Sequence, residues 1–172
     1  MNTADISQLR ILAALLAMPE DDALDALRDM RRDAPWLDSH LAELERTPLD
    51  RWQAEYTRLF LSGYPKTPCP PFESAYRQGT MGGTSARDME GLYRRAGLRS
   101  SEAPADYLGT MLECAAYLQE QGMDDLLREL KEEHLERWLP RFSRDLSNNA
   151  KLELYRELGV QLSLLLPAPE ND

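Results

Sequence analysis

The chain has 172 residues, enough for a single domain that buries roughly 70% of the surface its unfolded form exposes. It is 42% hydrophobic with a mean hydropathy of −0.55, which excludes a disordered chain, and it holds no apolar run of about eighteen residues, which excludes a membrane-spanning helix. A net charge of −10 repels nucleic-acid phosphates and anionic membrane surfaces and favours basic partners.

The apolar residues recur at helical spacing along almost the whole chain. Ile6, Leu9, Leu12, Leu15 and Leu16 predict a first amphipathic helix ending before Pro19. Glu20, Asp21 and Asp22 then offer acids to the positive end of a second helix, whose stripe is Leu24, Leu27 and Met30 and which Pro35 stops. Leu37, Leu41 and Leu44 mark a short third helix. In Thr47-Pro48-Leu49-Asp50 the threonine is read as an N-cap and the proline as the first residue of a fourth helix, which buries Trp52, Tyr56, Leu59 and Phe60.

Four prolines, Pro65, Pro68, Pro70 and Pro71, then fall within seven residues and exclude both a helix interior and a central strand. Spacers are usually rich in Gly, Ser and charge, whereas this stretch carries Tyr64, Phe72 and Tyr76, so an ordered loop that packs on something or receives something is expected beside the plainer reading of a linker. Glu73 to Arg77 predicts one helical turn, and Ser85 and Asp88 open a helix that ends at Gly97. Pro104 is read as the start of a core helix running to Gly122. Met123 to Leu139 continues until Pro140 bends or ends it, Ser147-Asn148-Asn149 punctuates, and Leu154, Leu158, Leu162 and Leu165 form a last helix.

No segment alternates with period two, so the predicted fold is all-α: a single-domain bundle of about eight or more helices over residues 1–166, with one long proline-rich ordered loop and a short flexible tail at 167–172. Two cysteines, Cys69 and Cys114, are too few for a disulfide framework, and Met-Asn-Thr-Ala-Asp-Ile at the N-terminus has no basic stretch ahead of an apolar core. Reduced thiols in a cytoplasmic protein are expected.

Catalytic chemistry finds little support in the residues. His40 and His134 belong to no His-Glu-x-x-His pair, and Lys131 stands where a Glu-x-x-His signature needs its carboxylate, so no metal or other cofactor is expected. The glycines between Gly79 and Thr84 lack P-loop spacing, Ser74 has no histidine nearby in sequence, and no base adjoins Cys69. Asp106 has two readings. It is either a first-turn acid stabilised by the helix dipole or, with Tyr107, a polar anchor beside an apolar groove that suits a basic, partly apolar peptide.

Leu59-Phe60, then Pro70-Pro71-Phe72-x-Ser74-x-Tyr76, then Pro104-Ala-Asp106-Tyr107-Leu108 and finally His134-Leu with Trp138 and Phe142 together resemble the TorD/DmsD/NarJ family of molybdoenzyme maturation chaperones, over roughly residues 50 to 145. The resemblance implies an all-helical cytoplasmic chaperone, not an enzyme, without cofactor. It would bind a client molybdenum oxidoreductase subunit and its twin-arginine signal peptide, assist cofactor insertion and delay export. It would bind no nucleic acid, would not insert stably in a membrane, and would be a monomer or a domain-swapped dimer. The client-binding residues it implies are Leu59, Phe60, Pro70, Pro71, Phe72, Ser74, Tyr76, Pro104, Asp106 and Tyr107; Glu73 would add a negative charge beside the groove and favour arginine-rich clients. At Tyr107 the family usually has histidine, so a charge-switching role is lost there while an aromatic, hydrogen-bonding one is kept. The alternatives are a helical nucleotide-binding or hydrolysing protein that uses Gly79 to Thr84, and a general helical adaptor.

Overall fold

Leucines that recur every three or four residues in the sequence line one continuous core. The computed structural model describes residues 6–99 and 102–167. Helix α1 (Ile6–Leu15) buries Leu9, Leu12 and Leu15, and α2 (Ala23–Met30) buries Leu27. A 3₁₀ turn at Pro35–Leu37 leads into α3 (Asp38–Glu45), anchored by Leu41 and Leu44. Helix α4 (Leu49–Tyr56) buries Trp52 and Tyr56 and widens into a π-helical turn, Thr57–Leu61, that buries Leu59 and Phe60.

Beyond the proline segment come α5 (Glu73–Arg77), α6 (Thr84–Arg95) and α7 (Leu108–Glu120). Helix α8 (Asp124–Glu129), a second π-helical turn at Leu130–Leu135 and α9 (Glu136–Asn149) follow one another without a break, and α10 (Glu153–Ser163) folds back. Helix α7 is the most deeply buried, with Met111, Leu112, Ala115 and Leu118 fully enclosed, and it packs along α1. Helix α10 lies against α9 and also reaches α1 and α3. A Cβ on Gly159 would meet Ser147 Oγ at 2.3 Å and the Ser143 carbonyl at 2.7 Å, so glycine sets how closely α9 and α10 approach. Among the described residues no strand forms; one isolated antiparallel bridge joins Phe72 to Tyr107. The all-α architecture is the one predicted.

Several element boundaries differ from expectation. Pro48 occupies the N-cap position of α4 with extended ψ of 143°, while Thr47 Oγ1 donates to the Glu43 carbonyl at 2.8 Å and closes α3 instead of opening α4. Pro104 does not begin α7: the Tyr107 N–H donates to its carbonyl at 3.0 Å in a turn, and the helix starts at Leu108. Pro140 stands inside α9, which runs on past it and ends at Asn149, within the expected Ser147-Asn148-Asn149 punctuation. Of the predicted tail, residues 168–172 lie outside the described residues.

Candidate functional site: a docked proline segment

Within Pro68-Cys69-Pro70-Pro71 only Cys69 has a backbone N–H, because proline has none. That single donor goes to the Leu59 carbonyl at 2.9 Å, an acceptor freed where the π-helical turn runs out. The Ser62 N–H closes the same turn on the Thr57 carbonyl at 2.9 Å, and Thr67 Oγ1 donates to the Leu61 carbonyl at 3.2 Å. The segment is thereby laid back along the helix that precedes it.

Its far end docks on the approach to α7. The Leu108 N–H donates to the Pro71 carbonyl at 2.9 Å, the Glu73 N–H to the Asp106 carbonyl at 3.2 Å, and the Ser74 N–H to Asp106 Oδ2 at 2.8 Å. Asp106 thus takes up a free N–H in the first turn of α5 from a different stretch of chain. The rings of Phe72 and Tyr107 lie 5.7 Å apart across this seam. Tyr93 Oη donates to the Ala105 carbonyl at 2.6 Å, and the hydroxyls of Tyr56 and Tyr107 both donate to the Leu16 carbonyl, at 2.8 and 2.9 Å, fixing the end of α1 to the same platform.

Glu73 is completely buried. Its Oε1 receives Arg77 Nη1 at 2.5 Å, and its Oε2 lies 2.8 Å from Nδ1 of His134, which the second π-helical turn carries inward. Arg77 Nη1 also reaches the Glu133 carbonyl at 3.1 Å. Tyr76 packs on Trp138 and Phe142 at centroid distances of 5.4 and 5.9 Å, donates to Asp145 Oδ2 at 3.1 Å, and lies beneath the Arg141 guanidinium at 5.5 Å. Ser74 Oγ accepts the Gly82 N–H at 2.9 Å, so this glycine turn ties α5 to α6 and spends a donor that a phosphate cradle would need.

The structure brings Pro71, Phe72, Glu73 and Ser74 together with Asp106 and Tyr107, as the paired motifs imply. It corrects the expected direction of several side chains. Leu59, Phe60, Pro71, Glu73, Ser74 and Asp106 are buried; Pro70, Phe72, Tyr76 and Tyr107 are partly exposed, and Pro104 is exposed. The anticipated carboxylate-lined furrow is absent at this seam, because Glu73 and Asp106 face inward: Arg77 and His134 compensate Glu73, and a backbone N–H takes up Asp106 Oδ2 while its Oδ1 is buried without a partner. Leu59 and Phe60 share the helical phase of Tyr56 and join the core, whereas Leu61, out of that phase, is 53% exposed, and Tyr64 is 99% exposed. These two were not among the expected site residues; the i, i+3, i+4 phase separates Leu61 from Leu59 and Phe60, whereas Tyr64 lies beyond the end of the helix, where periodicity carries no signal.

Burial, reinforced by the nearby Asp145 charge, pushes the Cys69 thiol up to about 12, which disfavours the thiolate that would act as nucleophile. Burial alone does the same to Cys114, also at about 12. Among the described residues no three His, Cys, Asp or Glu side chains are placed to hold a metal ion. What the platform presents is a preset backbone with partly exposed rings.

Residues 20–144 match the family described as nitrate reductase delta subunit. The chaperone protein YcdY of Escherichia coli (strain K12) is 26% identical over 162 residues, covering 87% of this chain and 85% of that protein. The Tat proofreading chaperone DmsD of Salmonella typhi is 31% identical over 120 residues, covering 67% of this chain and 56% of that protein. The crystal structure of a protein described as a redox enzyme maturation protein, from Archaeoglobus fulgidus, superposes with a TM-score of 0.73 at 20% identity, covering 95% of this chain and 96% of that one, and so shares the fold.

Proposed function

The chain belongs to the nitrate reductase delta subunit family, and on that premise we propose that it is a system-specific chaperone for a redox enzyme, acting by binding rather than by catalysis. Its client is a molybdenum-containing oxidoreductase subunit, recognised through its twin-arginine leader or its apo form in the cytoplasm before cofactor insertion and export. The observation that carries this reading is the seam in which Pro71-Phe72-Glu73-Ser74 docks on Asp106-Tyr107-Leu108, since it joins in space the two segments that resemble the family's client-binding motifs.

The roles divide by exposure. Phe72, Tyr76, Tyr107, Pro70 and Pro104 reach the surface and supply client contact, whereas Leu59, Phe60, Pro71, Glu73, Ser74 and Asp106 hold them in place from beneath. Exposed ion pairs contribute about 1 kcal/mol or less each, so binding near 1 µM, which needs about 8 kcal/mol, draws mainly on burial of the leader's apolar run. Titration calorimetry with a synthetic twin-arginine leader is expected to give a micromolar or tighter Kd, and Phe72→Ala to weaken it about tenfold with an unchanged helical circular-dichroism spectrum. Absence of heat with the intact leader would overturn the proposal.

A further inference from the structure

A leader with paired arginines needs accessible carboxylates, and the seam does not supply them. Glu73 and Asp106 are fully buried, Glu73 bonded through both oxygens and Asp106 through Oδ2, its Oδ1 being enclosed without a hydrogen-bond partner. Unengaged acids adjoining an apolar recess occur instead where α1 turns into α2. Glu20, Asp21 and Asp22 are exposed, none takes part in an ion pair among the described residues, and Asp22 stands at the N-cap of α2 without making the side-chain capping bond. Together with Gln53 these acids surround a recess of about 420 Å³, held in shape by the bond from Gln53 Nε2 to the Pro19 carbonyl at 2.9 Å.

An apolar groove of about 330 Å³ opens next to it and shares Glu20 and Asp22 with it. Ala17, Met18, Ala26 and Met30 form its sides, and Trp52 and Tyr155 lie at its base, locked by the bond from Trp52 Nε1 to Tyr155 Oη at 3.0 Å. Small residues leave room for incoming side chains, and the two methionines adapt to their shape. Acid beside apolar, in this order, is the complement of two arginines followed by an apolar run.

We propose that this groove between α1, α2 and α10 is where the client's basic and apolar leader docks, its arginines against Glu20, Asp21 and Asp22 and its apolar residues over Trp52. The inference rests on the chaperone reading above and divides its contacts: the groove takes the arginines and the apolar run, and the exposed rings of the seam take client residues beyond them. The acids steer and select, so their contribution falls with salt, whereas the groove holds the apolar run at any ionic strength.

Calorimetry on the full-length protein separates the two ideas. Glu20→Lys combined with Asp22→Lys is expected to raise Kd for a twin-arginine leader at least tenfold at low salt, and much less for a leader whose arginines are alanine. Ala26→Trp, which fills the groove, should weaken both leaders, while the exposed charge reversals keep the question answerable if that variant folds poorly. A benzophenone probe in the leader's apolar run should crosslink to peptides containing Met18 or Met30. If the wild-type protein binds the leader, yet these variants bind equally well and crosslinks fall on residues 61–72, the groove is wrong and the chaperone reading stands. If the wild-type protein does not bind, the chaperone reading fails and takes this inference with it. Self-association that Met18→Arg abolishes, seen by sedimentation without any leader, would assign the groove to a second copy and overturn the proposal.

Discussion

Asp106 gives α5 the cap that its own chain segment does not supply, from 32 residues away in sequence. Capping of this kind contributes about 1 kcal/mol, and a charged acceptor for a buried N–H contributes somewhat more. Asp106→Ala is therefore expected to lower unfolding free energy by about 1–3 kcal/mol in urea, and Asp106→Asn, which keeps an acceptor oxygen, to lose less. An unchanged midpoint in both variants would remove the capping role. The sequence supports two readings of this residue, as a first-turn acid and as an exposed anchor, and the structure gives a third. Helix periodicity reveals that Asp106 stands near a helix start, but its donor belongs to Ser74, and nothing local to residues 104–108 announces that pairing. Glu73 was misplaced for a similar reason: Arg77 is its i+4 neighbour on α5, but its second partner, His134, comes from 61 residues away on a π-helical turn that swings the histidine inward.

Most helices were readable from leucine spacing, because a stripe three to four residues apart must find an apolar partner wherever the helix ends up. Their ends were less so. Thr47 and Pro104 look like helix openers by residue type, yet the preceding helix claims the threonine hydroxyl and the docked Pro71-Phe72 segment claims the backbone N–H at Leu108, which delays α7 until that residue. The two π-helical turns left no mark in the periodicity, although each carries residues central to the platform. Among element contacts the α9–α10 pair depends on Gly159. An alanine there gains about 1 kcal/mol in helix propensity but must displace the Ser143 carbonyl, 2.7 Å from the new Cβ, which a side-chain rotation cannot relieve. Gly159→Ala is expected to destabilise the protein by about 1–2 kcal/mol net, measured as a lower urea midpoint; a rise in stability would mean that the helices part without cost.

At the scale of the whole molecule, both cysteines serve as reporters, since Cys69 lies under the proline segment and Cys114 on the buried face of α7. With thiols pushed up to about 12 by burial, neither is expected to react with a disulfide reagent at pH 8 except through opening of the fold. Mass spectrometry after timed labelling should show Cys69 modified first if the proline segment lifts alone, and both together if the protein opens as a unit; prompt labelling of both without denaturant would contradict the packing described. The platform also has a schedule. Glu73 finds its histidine 61 residues later, and Asp106 arrives 32 residues after the N–H it accepts. A ribosome emits chain from the N-terminus at about 5–20 residues per second, so α1 to α4 emerge several seconds before the last part of the seam. Newborn copies therefore lack a complete platform until nearly four-fifths of the polypeptide is out, and a nascent chain cannot present its rings before that point.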